Sequence, residues 1–230
     1  MAPRDFATRL TRRAGRAGLF VPDELAADLA IYHSLLTRWN LKINLTSLAD
    51  PDESIDRLLL EPLLAARHIA AGARALMDVG SGGGSPAIPL KLALPRIQLT
   101  MVEAKTRKSA FLREAIRQLD LDDARVETAR VEELLARPDL HEAFDVLAMR
   151  AVRVEPRVLQ TLQAFLRPGG QLLLFRGPTG PDRLPIVVPP LEWQNTHSLV
   201  DASRSRLTVL SKRSIGQGVP RGTFSSEAQH

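Results

Sequence analysis

Glycines are concentrated in one short segment where a ligand could contact the backbone. Residues 78–85 read DVGSGGGS, follow the apolar run ALM and contain four glycines within five positions. Gly80, Gly82 and Gly84 can adopt positive φ and let the backbone approach a ligand without a Cβ collision. Pro86 follows directly and favours the start of a helix. A glycine loop between a buried strand and a helix predicts a cofactor-binding loop rather than a flexible linker.

The spacing of these glycines argues against two common nucleotide-binding motifs. A dinucleotide fingerprint requires a sixth-position glycine, which is Ser85 when counted from Gly80, and the Lys-Ser/Thr pair of a P-loop is missing. Glu103 ends the next apolar run, 21 residues after Gly82. Its two carboxylate oxygens could accept hydrogen bonds from both hydroxyls of a ribose. An acid at a strand end can also cap the next helix, so both interpretations remain open.

Composition excludes several other chemistries. The chain of 230 residues has 44% hydrophobic and 25% charged side chains, which is enough for one well-buried domain. It has no cysteine, which excludes disulfides, thiolate metal sites and a cysteine nucleophile. The longest apolar runs, such as LLLF at 172–175, are far shorter than the roughly 20 residues that span a bilayer. We therefore expect a soluble protein without a metal site or membrane association. We also expect it to be cytoplasmic and monomeric, although composition alone does not determine the oligomeric state.

Positive charge is concentrated at the two ends of the chain. Residues 1–20 carry five arginines against one Asp, and residues 201–230 carry five basic residues against two acidic ones, although the net charge is only +5. Basic ends on a near-neutral body suit a polyanion such as RNA. Solvated, partly disordered termini are the alternative. The sequence leaves both interpretations open.

The pattern of apolar residues predicts the elements that position the glycine loop. Predicted strands are 75–79, 97–103, 124–128, 144–149, 169–177, 191–198 and 205–211, and predicted helices are 22–39, 55–69, 86–94, 106–119, 131–136 and 154–166. Alternation of strands and helices favours an α/β, doubly wound, Rossmann-like fold with a mostly parallel sheet of seven strands. We divide the chain into a basic arm and helical cap (1–72), a cofactor-binding core (73–212) and a flexible tail (213–230).

These motifs resemble the class I S-adenosylmethionine-dependent methyltransferases. Within them, the sequence is most similar to the glucose-inhibited division protein B family, which methylates N7 of a guanine in bacterial small-subunit ribosomal RNA. The resemblance covers about residues 19–177. It is carried by YHSLLTRWNLKINLTS (32–47), DVGSGGGSPAIPL (78–90), KTRKSAFLREAIRQLDL (105–121), ARVEEL (129–134), MRAV (149–152) and FLRPGGQLLLF (165–175).

The resemblance implies a role for individual residues. S-adenosylmethionine would be bound by Asp78, Gly80, Gly82, Gly84, Ser85, Glu103, Val131, Glu132 and Arg150. In this assignment the glycine loop contacts the methionine part, Glu103 the ribose, and Val131 with Glu132 the adenine. Arg150 reaches cofactor and substrate and is the catalytic candidate. The candidates for RNA contact are Arg57, Glu61, Lys105, Arg107 and Lys108.

Each role has a simpler alternative. Glu132 could favour a helix N-terminus through the dipole, and Arg150 could form an ion pair at the rim. The basic residues between 105 and 108 could be a solvated helix face. In these cases the residues would stabilise the fold without contacting a ligand.

The residues that are missing favour a ring nitrogen as the methyl acceptor. Methylation of a pyrimidine carbon through a covalent adduct requires a cysteine. Methylation of a base amino group usually involves an Asn/Asp-Pro-Pro-aromatic motif, where this chain reads MRAVRVEP (149–156). N7 of guanine has a free lone pair and needs no general base. The family resemblance implies small-subunit ribosomal RNA as the partner, free or within a ribosomal particle.

The cap departs from the family pattern. Where the family has Arg-His-x-x-Asp-Ser, this chain reads RLLLEP from Arg57, with Leu58 and Pro62 at the His and Ser positions and Glu61 at the Asp position. Proline inside a helix should also kink it. Two alternatives therefore stay open: a methyltransferase of the same fold acting on another RNA or a small molecule, and a catalytically silent module that binds cofactor or RNA.

Overall fold

A seven-stranded sheet forms the centre of the molecule. The computed structural model describes residues 3–47, 50–150, 154–177, 187–201 and 204–214, with the side chains of residues 3 and 4 left out. The strands are β1 (Ala75–Val79), β2 (Gln98–Val102), β3 (Ala124–Glu127), β4 (Phe144–Arg150), β5 (Leu166–Arg176), β6 (Leu191–Ser198) and β7 (Arg206–Lys212). Their order is β3-β2-β1-β4-β5-β7-β6, and only the pairings of β7 with β5 and β6 are antiparallel. The predicted doubly wound α/β fold is confirmed.

Strand β1 is buried on both faces of the sheet. This explains why its side chains are apolar up to Asp78, near its end. All five residues of β1 are buried, as expected for a central strand of a parallel sheet. Leu76 packs in the cluster on the face that carries the cap. Met77 packs in the cluster on the opposite face. The sheet therefore separates two apolar layers.

The crossover helices lie close to their predicted positions. They are α5 (Ala87–Ala93), α6 (Thr106–Gln118) and α7 (Pro156–Phe165), and two 3₁₀ turns cover Val131–Ala136 and Pro138–Leu140. Pro86 is the residue before α5 rather than its first residue. Strand order reverses between β1 and β4, and ligands bind at such a switch point, beyond the carboxyl ends of the strands. The glycine loop after β1 lies there.

The cap contains a first helix that the sequence did not predict, and it divides the predicted second helix into three segments. It consists of α1 (Pro3–Arg16), α2 (Asp23–Asn40), α3 (Pro51–Ile55), a π-helical turn (Asp56–Leu60) and α4 (Glu61–Ala66). The single predicted helix at 55–69 thus starts earlier, and the irregularity expected at Pro62 takes the form of the π turn that precedes it. Within the described ranges, no helix has the length and apolar character needed to cross a membrane.

The basic termini are partly used inside the fold. Phe6, Leu10 and Ala14 of α1 are buried, so α1 packs on the cap instead of forming a solvated arm. Near the other end, Lys212 is buried and donates to Glu142 Oε1 at 2.7 Å. The predicted flexible tail falls outside the described residues from 215 onward.

Candidate functional site

The glycine loop adopts the backbone conformation predicted for it. The φ angles of Gly80, Gly82 and Gly84 are 73°, 52° and 83°. A Cβ at Gly80 would have no atom within 4 Å, whereas a Cβ at Gly84 would lie 2.5 Å from Ile88 Cδ1. Gly84 is therefore required by packing against α5. Gly80 borders open space, where a ligand can contact the backbone.

Glu103 holds the glycine loop against the start of α6. Its Oε2 accepts the N–H of Gly82 at 2.9 Å and its Oε1 accepts the N–H of Lys105 at 2.8 Å. Lys105 is the residue that precedes α6, so this acid contacts the backbone at the entry to the helix. A carboxylate oxygen has more than one lone pair. Each oxygen thus retains capacity to accept a hydroxyl.

Asp78 is a buried carboxyl whose oxygens have no partner among the described residues. The residue is 1% exposed, and within the described part of the chain neither carboxyl oxygen has a hydrogen-bond partner, nor does Arg150 Nε. Ser81 Oγ donates to the backbone carbonyl of Asp78 instead, at 3.1 Å. Burial raises the pKa of the Asp78 carboxyl to about 7, against the opposing positive charge of Arg150. A buried acceptor of this kind is unusual in a native protein and indicates a ligand contact.

Arg150, at the end of β4, connects the core to the cap. Its Nη1 donates to Glu61 Oε2 at 2.6 Å and its Nη2 to the carbonyl of Arg57 at 2.8 Å. The guanidinium also lies 4.9 Å from the centre of the Phe175 ring. Glu61 is fully buried. The expectation that Glu61 contacts RNA is therefore wrong, because this carboxylate lies inside the protein, and the pair it forms with Arg150 is internal rather than at the rim.

A cleft of about 310 Å³ brings six of the predicted site residues together, whereas Asp78, Gly84, Glu103 and Glu61 do not line it. Its lining includes the predicted residues Gly80, Gly82, Ser85, Arg57, Lys108 and Arg150. Leu36, Leu45, Thr46 and Ser47 form the wall on the cap side. These wall residues were not among the predicted site residues, although the Asn-Leu-Thr element at 44–46 could have indicated them. Asn40 Oδ1 fixes this wall by accepting the N–H groups of Leu45 and Thr46 at 2.8 and 2.9 Å.

A second contact fixes the loop from the cap. Tyr32 is fully buried and its hydroxyl donates to the carbonyl of Gly83 at 2.6 Å. Burial raises the pKa of the Tyr32 phenol, so it stays protonated and remains a donor. The cap thereby positions the glycine loop from one side, as Glu103 does from the other.

Some predicted residues lie outside the cleft. Val131 and Glu132 begin the 3₁₀ turn after β3 and do not line it. The neighbouring Glu133 accepts the N–H of Arg130 at 3.0 Å, as a residue at a helix N-terminus does. Lys105 and Arg107 are exposed at the start of α6. In the MRAV segment, residues 151 and 152 lie outside the described residues.

The site has the features that a nucleoside cofactor requires. It offers open backbone at Gly80, an unpartnered carboxyl at Asp78 and acceptor capacity at Glu103. Together with the strand order, it defines a class I S-adenosylmethionine-dependent methyltransferase. A sequence profile described as rRNA small subunit methyltransferase G matches residues 25–185. The chain belongs to that family.

Individual relatives agree with this assignment. A ribosomal RNA small subunit methyltransferase G from Xanthomonas axonopodis pv. citri is 43% identical over 152 residues, which cover 66% of this chain and 69% of the relative. Its namesake from Stenotrophomonas maltophilia is 40% identical over 167 residues, covering 73% and 76%.

Solved structures show the same fold at low sequence identity. A SAM dependent methyltransferase from Aquifex aeolicus is 14% identical with a TM-score of 0.54, covering 73% of this chain and 95% of that one. TrmN from Thermus thermophilus is 19% identical with a TM-score of 0.51, covering 69% and 53%. At this level of identity the similarity describes the fold alone.

Proposed function

We propose that this protein transfers the methyl group of S-adenosylmethionine to N7 of a guanine in small-subunit ribosomal RNA. The observation that carries the proposal is the cleft between β1 and β4, which open backbone at Gly80 and the guanidinium of Arg150 line and behind which the carboxyl of Asp78 is buried at the end of β1. The substrate follows from the family and from the names of its members. We place the reaction in the cytoplasm, by a monomer.

We assign each part of the cofactor to different residues of the site. S-adenosylmethionine supplies an electrophilic methyl group on a sulfonium. The Asp78 carboxyl is the acceptor for its ammonium group, and the backbone at Gly80 and Gly82 allows close approach of the methionine part. Glu103 accepts from the ribose hydroxyls with the lone pairs that Gly82 and Lys105 leave free. We assign the adenine edge to Val131 and Glu132.

The chemistry requires positioning more than proton transfer. Guanine N7 presents a lone pair, so attack on the methyl group needs no base, and holding the two atoms about 3–3.5 Å apart supplies much of the rate. The Arg150 guanidinium is fixed by Glu61 and by the Arg57 carbonyl. It lines the cleft and therefore orients cofactor and base without reorganising.

Basic residues that line the cleft (Arg57 and Lys108) or lie beside it at the start of α6 (Lys105 and Arg107) provide the contacts to RNA phosphates. Lys105, Arg107 and Lys108 make no ion pair in the described part of the chain, and Arg57 has one long contact of 3.6 Å with Glu53. Unpaired cations at a cleft mouth release counterions from a polyanion when it binds. The changed cap residues, Leu58 and Pro62, favour the alternative of a different RNA. Mapping the methylated nucleotide distinguishes the two substrates.

A labelling experiment tests the proposal. Purified protein and radiolabelled S-adenosylmethionine are incubated with small ribosomal subunits and with naked RNA from cells that lack the modification. N7-methylguanine is then mapped by reduction and aniline cleavage. We expect label in a single guanine of small-subunit RNA. Cofactor binding with no label in either preparation would instead support another substrate or a silent module.

Two glycine variants provide a matched control. Gly80 and Gly72 both have positive φ and open space where a Cβ would lie, but only Gly80 lines the cleft. Gly80→Val should therefore abolish both methyl transfer and cofactor binding. Gly72→Val carries the same backbone strain and should keep both. Equal effects of the two substitutions would contradict the assignment of the loop.

A further inference from the structure

The π turn of the cap leaves one backbone carbonyl without a helical partner. The N–H of Glu61 donates to the carbonyl of Asp56, five residues earlier, rather than to that of Arg57 four residues earlier. In continued π geometry the donor to Arg57 would be residue 62. That residue is Pro62, which has no N–H. The Arg57 carbonyl therefore lacks both of its possible helical donors.

Pro62 affects a second carbonyl as well. In a regular α-helix the carbonyl of Leu58 would accept from residue 62, and this donor is also absent. Both carbonyls are bonded instead by residues of the cofactor cleft. Arg150 Nη2 donates to Arg57 O at 2.8 Å, and Ser85 Oγ donates to Leu58 O at 2.9 Å. Two consecutive carbonyls of the π turn thus hold two side chains of one site.

We propose that Pro62 and the π turn position the catalytic candidate Arg150 and the loop residue Ser85 through the carbonyls of Arg57 and Leu58. This inference rests on the function proposed above and names a device that serves the same cleft. Pro62 touches no reacting atom and is a positioning residue. A π turn within an α-helix is a frequent feature of functional sites. Here it places the carbonyl oxygens of Arg57 and Leu58 beside the glycine loop, where they can accept hydrogen bonds.

The surrounding contacts hold the π turn in place. Asp56, its first residue, is 2% exposed and forms a bidentate ion pair with Arg13 of α1. Glu61, directly after the turn, is fully buried and accepts from Arg150. The turn is therefore fixed at its start by α1 and at its end by β4. An N–H at position 62 would compete with Ser85 and Arg150 for the same two carbonyls.

The test restores the missing donor. Pro62→Ala and Pro62→Val both introduce an N–H but differ in side-chain volume, so a shared effect reports the N–H rather than packing. We expect each to weaken binding of S-adenosylhomocysteine about tenfold, the scale of one charge-assisted hydrogen bond. Pro156→Ala, at the exposed first position of α7, is the matched control and should bind as the wild type does. Circular dichroism verifies that each variant folds.

A double-mutant cycle and a ligand-free signal complete the experiment. If Pro62 acts through Leu58 O, combining Pro62→Ala with Ser85→Ala should weaken binding by less than the product of the separate effects. By nitrogen-15 NMR without cofactor, rotation of the Arg150 guanidinium should be faster in both Pro62 variants. Multiplicative effects, or unchanged affinity and rotation, would overturn the inference. If the wild type binds no S-adenosylhomocysteine, the proposed function fails while the NMR signal still tests the positioning.

Discussion

Two buried carboxyl groups, one in the cap and one in the core, have opposite surroundings. Glu61 in the cap is fully buried and bonded to Arg150. Asp78 in the core is 1% exposed, has no partner on either oxygen, and has a pKa raised by burial to about 7. Both lie near the same guanidinium. The cap has thus satisfied its charge internally, whereas the core keeps hydrogen-bonding capacity for a ligand.

The same contrast extends over the rest of the cap. Asp52 accepts from Arg9 and Arg13 at 2.8 and 2.9 Å, and Asp56 pairs with Arg13. Salt bridges to these arginines lower the pKa of Asp52. These four charged groups of the cap are therefore structural. Substitutions in both regions can test whether the charged groups of the cap are paired within the protein while those of the core are available to a ligand.

Removing Arg150 should have the largest effect on stability. Arg150→Ala removes the arginine that pairs with the buried Glu61 carboxylate, and breaking such a pair costs up to about 5 kcal/mol. Urea denaturation measures the change in the free energy of unfolding. Arg157→Ala, which removes an exposed pair with Glu155, is the control and should leave stability nearly unchanged. A small effect at Arg150 would show that the cap does not depend on this connection.

Removing the Asp78 charge should raise the free energy of unfolding, whereas removing Arg150 lowers it. The pKa of this carboxyl is raised from 3.8 to about 7 by burial, so the folded state keeps a proton that the unfolded state has released. Stability therefore falls as pH rises from about 4 to about 7, by up to about 4 kcal/mol. Asp78→Asn should stabilise the cofactor-free protein at pH 8 and have little effect at pH 4.

The measurement for Asp78 combines stability and binding. Urea denaturation at pH 4, 6 and 8 should show the gain growing with pH, while calorimetry should show weaker cofactor binding by Asp78→Asn. A stabilised variant that binds less cofactor identifies a group kept for its ligand. An effect independent of pH would contradict a buried, titrating carboxyl at this position.

The core was predictable because its elements depend on local pattern. The apolar strand ALMDV, the glycine loop and Glu103 lie within 29 residues of sequence, and their hydrophobic periodicity defines the strand and helix to which each belongs. Parallel strands place their carboxyl ends together. The positive φ angles of the loop and the position of Glu103 beside it followed from these rules.

The cap was less predictable because its contacts are distant in sequence. Helix α1 was missed because its buried residues are interspersed with arginines, which suggested RNA contact or solvent exposure. Arg13 and Asp56 are 43 residues apart, and Arg150 and Glu61 are 89 apart. No local pattern indicates such pairs. The same holds for Arg150 and Ser85, whose hydrogen bonds to the carbonyls near Pro62 are visible only in the structure.

Glu103 should contribute an intermediate effect on binding. Glu103→Ala should weaken the affinity for S-adenosylhomocysteine by about 1.5–3 kcal/mol, the range for charged hydrogen bonds. Calorimetry should compare this ligand with its 2′,3′-dideoxy analogue. The wild type should discriminate between them and the variant should not. Glu133→Ala, which removes a contact at the 3₁₀ turn, is the control, and equal discrimination by Glu103→Ala would place the ribose elsewhere.

The smallest expected effect is on the salt dependence of RNA binding, which should differ between an arginine without an ion pair and a paired one. Arg107 is exposed and makes no ion pair in the described ranges, whereas Arg9 is paired with both Asp5 and Asp52. A free cation releases counterions when it meets a phosphate, so Arg107→Gln should reduce the salt slope of RNA binding by about 1. Arg9→Gln should leave the slope unchanged, because its charge is already offset by carboxylates of the protein. Filter binding across a salt titration measures both slopes. A loss of slope at Arg9 equal to that at Arg107 would mean that the cap contacts RNA after all, and that its arginines exchange their internal partners for phosphate on binding.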